Sequence, residues 1–164
     1  LLTGEDVDAP VRAEHLHNTF ESLLELGIIP VVNENDSVSS AEIETGKCKV
    51  LGDNDTLSAV VARLVRADLL VLLSDINGLY DSDPRQNPEA RLIHRVTAVT
   101  PELKAMAGGT GTWRGTGGMV TKLTAAETAL AAGVDMVITN GANMEALYDI
   151  VEGKDVGTRF VAGA

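Results

Sequence analysis

Five consecutive aliphatic residues, Leu69-Leu70-Val71-Leu72-Leu73, constrain this chain more than any other feature. An apolar run of that length, without polar alternation, suits a buried strand of a parallel sheet. Helices are predicted on either side of it in sequence. Residues 55–66 put Leu57, Val61, Leu64 and Val65 on one helical face, and a longer helix runs from about Gly118 to Ala132, stopped by Gly133. Val134 to Thr139 then reads as a strand, Met144 to Val151 as a helix and Val156 to Val161 as a closing strand. Upstream, Leu16, Phe20, Leu23 and Leu24 share a helical face, with Gly27 placed to end that helix. Ile28 to Val32 follows as a second apolar run and is expected to be a strand, although Pro30 gives up a ladder hydrogen bond. Leu1-Leu2-Thr3 reads as the end of another. Thr100-Pro101-Glu102 has the form of an N-cap, a proline at N1 and an acid in the first turn, opening a short helix that ends at Gly108. Strands alternating with helices through short connections specify an α/β domain with a mainly parallel sheet.

Composition narrows what such a domain does. The 164 residues fit one domain, 45% hydrophobic and 23% charged, large enough to fold without a metal or disulfide staple. The formal charge is −11, so the basic footprint that a nucleic-acid partner requires is missing. A small anion is still compatible, because backbone N–H groups and a few local cations suffice to hold one. Cys48 is the single cysteine, which excludes an intrachain disulfide and an all-cysteine zinc site. His15 and His17 are two apart and face different sides of a helix, and with His94 they read as structural or solvent-facing residues rather than metal ligands. No apolar run approaches the ~18 residues of a membrane span, and the expected compartment is the cytoplasm.

Ligands of open α/β sheets gather beyond the carboxyl ends of the strands. Polar loops follow three of the expected strands: Asn33-Glu34-Asn35-Asp36, Ser74-Asp75 and Asn140-Gly141. Asn and Asp also make turns on structural grounds alone, so one such loop carries little, and Asn-Gly least. Residues 108–122 hold six of the 16 glycines and run into a helix. Such a loop exposes unpaired N–H groups at the positive end of the helix dipole, a setting for phosphate. Thr116 and Thr121 add hydroxyls and Lys122 a full charge. The spacing fits neither a Walker A loop nor a dinucleotide fingerprint. Gly52-Asp53-Asn54-Asp55 precedes a helix that needs only one acid as a cap, which leaves a carboxylate to orient a lysine or to hold the hydrogen-bond network around a reacting phosphate.

These segments resemble one family. Ile29-Pro30-Val31-Val32-Asn33-Glu34-Asn35-Asp36, Gly52-Asp53-Asn54-Asp55 with Leu57-Ser58-Ala59, Leu73-Ser74-Asp75 with Gly78-Leu79-Tyr80 and Asp83-Pro84, and Gly115-Thr116-Gly117-Gly118-Met119 with Thr121-Lys122 are similar to the glutamate 5-kinases of the amino acid kinase superfamily. The resemblance implies a three-layer αβα sandwich and ATP-dependent phosphorylation of the L-glutamate γ-carboxylate, the first step of proline synthesis, with proline as feedback inhibitor and a homo-oligomeric assembly. It implies that Asp36 and Asn54 hold glutamate and that Ser74 and Asp75 line the nucleotide pocket. Thr116, Gly117, Gly118, Met119, Val120, Thr121 and Lys122 would then cradle the ATP phosphates. Lys122 would neutralise the transferring phosphoryl group and Asp55 orient the lysines, with Mg²⁺ arriving on ATP and no protein metal ligand assigned. Residues 1–164 correspond to a single partial kinase domain, with its N-terminal part and any RNA-binding-like (PUA) domain expected outside these residues. A nucleotide-binding module without catalysis and a related kinase such as an acetylglutamate kinase are the alternatives.

Overall fold

The computed structural model describes residues 1–35, 37, 53–107 and 118–163. Among them are six helices and four strands. In chain order these are α1 (Gly4–Asp8), α2 (Pro10–Glu25), α3 (Asn54–Leu64), β1 (Leu69–Ser74), β2 (Arg95–Val96), α4 (Pro101–Ala107), α5 (Met119–Ala131), β3 (Asp135–Asn140), α6 (Ala146–Val151) and β4 (Thr158–Phe160).

The strands form one open sheet in the order β1-β3-β4-β2. The aliphatic run of β1 pairs in parallel with β3, from Leu69 opposite Asp135 to Ser74 opposite Asn140. β4 runs antiparallel to β3, with Phe160 opposite Met136, and β2 runs parallel to β4. The sheet is thus mixed, with two parallel ladders and one antiparallel.

Leu72, Met136, Ile138, Val96 and Phe160 point to one face, where they share a core with α3 and α5. The two helices meet through Ala59 and Ala62 on α3 and Ala125, Ala126 and Ala129 on α5, all buried. Side chains of one carbon let the helices approach closely, which fixes the register of their ends. Ile150 of α6 and Val137 of β3, both buried, belong to the opposite face. A smaller cluster of Leu2, Val7 and Leu57, backed by Leu16 and Val32, joins the N-terminal helices to the outer side of α3. His17 is structural, its Nδ1 lying 3.0 Å from the Leu64 carbonyl oxygen at the end of α3.

The helices follow their sequence signals. Gly27 takes φ +71° beyond α2, and the Thr100 hydroxyl accepts from the Leu103 N–H at 3.2 Å to cap α4. In the 74–91 connection, Asp83 accepts from the Arg85 N–H and Asn87 from the Glu89 N–H, the local bonds that make turns at those positions.

Three expectations need correction. Ile28 to Val32 is not a strand; Ile29 and Val31 are 85% and 95% exposed. Pro30 has no N–H to give, and no described strand lies alongside. Leu1-Leu2-Thr3 is likewise no strand end: Leu2 makes a single parallel bridge to Glu34, and Thr3 already starts α1, its N–H and hydroxyl donating to Asp6. The third concerns β2, which the sequence concealed because two residues carry no period. It exists because Thr158 organises it. That fully buried hydroxyl accepts from the Leu79 N–H at 2.8 Å and donates to the Ile93 carbonyl at 2.6 Å, tying both arms of the 79–93 excursion to β4. The helix stop expected at Gly108 lies outside the described residues.

Candidate functional site

Each long core helix leads through a short turn into a strand, α3 into β1 and α5 into β3, and both strands are parallel. A helix that returns antiparallel to its strand has its N-terminus at the strand's carboxyl edge. Both helix N-termini and the ends of β1 and β3 therefore share one edge of the sheet, and the alanine contact sets the two helix ends side by side.

At that edge the acids before α3 divide their work. Asp53 is the cap, accepting from the Thr56 N–H at 2.8 Å and from the Thr56 hydroxyl at 3.1 Å. Asp55 is therefore free to turn towards α5. Its Oδ2 lies 3.1 Å from Lys122 Nζ and accepts from the Thr121 hydroxyl at 2.7 Å. Lys122 and Asp55 keep only 12% and 16% of their side-chain exposure. Removing both charges from water is tolerable because each keeps the other and Thr121 supplies a further donor. The pair also pins α3 to α5 at the point where both dipoles present their positive ends. Met119 and Val120, in the first turn of α5, carry N–H groups with no intrahelical acceptor. The arrangement offers an ammonium of fixed position beside open N–H groups, and such a place stabilises negative charge.

The two neighbouring strand ends are also joined. Ser74 lies opposite Asn140, and the Gly141 N–H donates to the Ser74 carbonyl at 2.9 Å. Asn140 Nδ2 donates to Asn77 Oδ1 at 3.0 Å, and the Ser74 hydroxyl to Asp75 at 3.2 Å. Asn54 is exposed as the first residue of α3, next to Asp55. Gly118 is the N-cap of α5, Met119 packs on the core and Val120 is exposed. Asp36, Thr116 and Gly117 lie outside the described residues. Two features were not anticipated: Thr121 donates to Asp55, and Asn77 bridges the strand-end loops. The spacing of Asp55 from Thr121-Lys122 gave no hint of the first, since only helix packing closes a separation of 66 residues. Among the described residues no three His, Cys, Asp or Glu side chains gather to hold a metal, and no helix is long and apolar enough to cross a membrane.

A carboxylate-held lysine stands at paired helix N-termini, beside the carboxyl ends of parallel strands in an α/β sheet, and the chain belongs to the amino acid kinase family, whose model matches residues 2–140. Within that family it is 52% identical over 162 residues to the glutamate 5-kinase of Clostridium perfringens (strain 13 / Type A), covering 99% of this chain and 60% of that protein. It is 50% identical over 162 residues to the glutamate 5-kinase of Listeria innocua serovar 6a, with coverage of 99% and 58%. The chain thus spans about 60% of the length of these curated relatives. In fold it is similar to carbamate kinase from Giardia lamblia bound to AMP-PNP, with a TM-score of 0.60 at 18% identity, over 90% of this chain and 49% of that one.

Proposed function

We propose that this chain forms the nucleotide lobe and part of the substrate site of a glutamate 5-kinase, within one partial amino acid kinase domain spanning 1–164. An oxygen of the L-glutamate γ-carboxylate attacks the γ-phosphorus of ATP. The new O–P bond forms as the bond to the β–γ bridging oxygen breaks, giving L-glutamyl 5-phosphate and ADP in the first step of proline synthesis. The observation that carries this reading is the Lys122–Asp55–Thr121 constellation. It stands at the end of a glycine-rich segment, in a chain half identical to named glutamate 5-kinases.

Phosphoryl transfer asks for in-line positioning and for cations and N–H groups around the transferring oxygens. Lys122 supplies the cation. Asp55 holds it in place and, by keeping it oriented, avoids the cost of ordering a free lysine during the reaction. Thr116 to Lys122 surround the phosphates, Ser74 and Asp75 take the nucleoside side, and Asp36 with Asn54 bind glutamate. Mg²⁺ enters on the ATP phosphates as part of the substrate. In this reading the enzyme is cytoplasmic and homo-oligomeric, with proline as its feedback inhibitor.

Trp113, the single tryptophan, lies within the glycine-rich segment and gives a direct test. Mg·ATP should change its fluorescence saturably in this chain, and Lys122→Ala should weaken that response. With the chain completed to the full length of its Clostridium relative, glutamate-dependent ADP release should fall by roughly 10²–10³ in the same variant, the scale of losing one preorganised oxyanion donor. Unchanged ATP affinity and turnover in Lys122→Ala would overturn the assignment. Nucleotide binding without glutamate-dependent turnover in the completed enzyme would overturn the kinase reading in favour of a binding module.

A further inference from the structure

A second concentration of positive charge lies on the other face of the sheet. β2 and β4 set Arg95 directly opposite Arg159, and Val96 opposite Phe160. Val96 and Phe160 belong to the core shared with α3 and α5, so strand alternation sends both arginines to the α6 side. There they line a cleft of about 70 Å³ together with Val137, Ile150, His94 and Lys154. Val137 and Ile150 are buried and apolar. Gly153, Asp155 and Val156 complete its lining.

Arg95, which is exposed, and Arg159 hold opposed register positions on adjacent strands, and like charges so placed destabilise a sheet. In a chain of net charge −11 a carboxylate partner for each would be easy to supply. Yet among the described residues neither Arg95 nor Arg159 has an ion pair. Asp155 is the single carboxylate lining the cleft and is bonded to neither. Lys154 is already engaged, with Nζ 2.6 Å from Asp149 and 2.9 Å from Glu152. Its charge is answered there by those two carboxylates, neither of which is bonded to the two arginines. Paired forks above an apolar floor suit an oxyanion, which accepts bidentate bonds from both and turns their repulsion into attraction. The volume is far below the ~300 Å³ at which pockets begin to hold whole drug-sized ligands. Its enclosed part is of the size of a phosphate group.

We infer that Arg95 and Arg159, with His94 at the lip, form a second anion site that binds a phosphate group, either free phosphate or the phosphoryl end of a small phosphomonoester. The site shares no residue with the Asp55–Lys122 edge and does not depend on the kinase reading.

The test is a titration of the ¹⁵N-labelled chain with sodium phosphate, balanced with sodium chloride at constant ionic strength. Backbone amides of Gly153 and Val156 and the Nε–H signals of both arginines should shift saturably at low-millimolar phosphate, equally in Lys122→Ala. Arg159→Gln should weaken the response of Gly153 and Val156 at least roughly tenfold, while Arg159→Lys, which keeps the charge but not the fork, restores part of it. The β1 amides should stay in place in both variants, showing an intact fold. A parallel titration with glycerol 3-phosphate separates the sources: tighter binding than phosphate assigns the phosphomonoester, equal or weaker binding the free ion. Shifts no larger than those from chloride would overturn the inference. So would shifts that survive Arg159→Gln but vanish in Lys122→Ala, since these would place the phosphate at the helix N-termini.

Discussion

Ile28-Ile29-Pro30-Val31-Val32 and Leu69-Leu70-Val71-Leu72-Leu73 are equally apolar five-residue runs, each beginning soon after a helix, and they end in opposite places. The second lies in the sheet, bonded along its whole length to β3, with Leu72 buried against the helices. The first has Val31 at 95% exposure, and the strand-like contact nearest to it among the described residues is the bridge from Leu2 to Glu34 just beyond it. Hydrophobicity is common to both, so it does not separate them. The separating fact is a ladder: β1 has a neighbour whose N–H and C=O groups match its own, whereas the first run contains a proline and meets no described strand. An apolar run becomes a strand only where its backbone polar groups are also satisfied.

The largest expected effect tests that contrast directly. Leu72→Ala should cost about 2–5 kcal/mol in urea denaturation, and Val31→Ala less than about 0.5 kcal/mol. Comparable losses at the two positions would show that the first run is covered in solution and would break the comparison. Next in size, Ala126→Leu should strain the α3–α5 contact that β1 packs beneath, at about 1–3 kcal/mol. It should also weaken ATP binding read through Trp113, because the same contact sets Asp55 beside Lys122. Unaltered ATP affinity at reduced stability would separate helix packing from the site. Asp53→Ala removes the α3 cap and should cost about 1 kcal/mol, seen as a lowered urea midpoint. A neutral result would mean that Asp55 takes over as cap and leaves Lys122.

The smallest effect belongs to the N-terminal side. Asp6 is partly buried, which by itself would raise its pKa. The Thr3 hydroxyl and N–H, helped by Arg12, more than offset this and hold it below the ordinary carboxylate value. A carboxylate depressed in the folded state contributes stability above its unfolded pKa and loses it as pH falls through the folded one. Asp6→Asn should therefore lower the melting temperature slightly at pH 6, and the difference from the native chain should shrink only as pH falls below the ordinary aspartate value and through the depressed folded one. A gap that does not shrink on acidification would assign the stabilisation to shape rather than charge.

The site was legible to different degrees at its different parts. Asp53-Asn54-Asp55 before a helix, and a glycine-rich segment running into Thr121-Lys122, are local patterns, and local chemistry was enough to mark them for capping and for phosphate. Which aspartate caps and which meets the lysine was not legible from local chemistry, because that depends on the rotation of α3 about its axis; only the family resemblance pointed to Asp55. Asn77 with Asn140, and Arg95 with Arg159, were equally hidden: their partners are set by strand register, over separations of more than 60 residues. Thr158 shows the same limit, a small polar residue in a short closing strand that proves to hold β2 and the 79–93 excursion in place.

By itself the sequence determined the longer helices and the strands β1 and β3, since their periods, caps and glycine stops act over a few residues. It also determined the acidic balance that confines phosphate chemistry to a few cations. Only the tertiary structure decided which apolar run joins the sheet, which acid holds Lys122 and where two unpaired arginines meet. Those outcomes are choices among partners distant in the chain, and packing makes them: the alanine faces of α3 and α5 bring the helix ends together, and the ladder of β2 on β4 brings the guanidinium groups together.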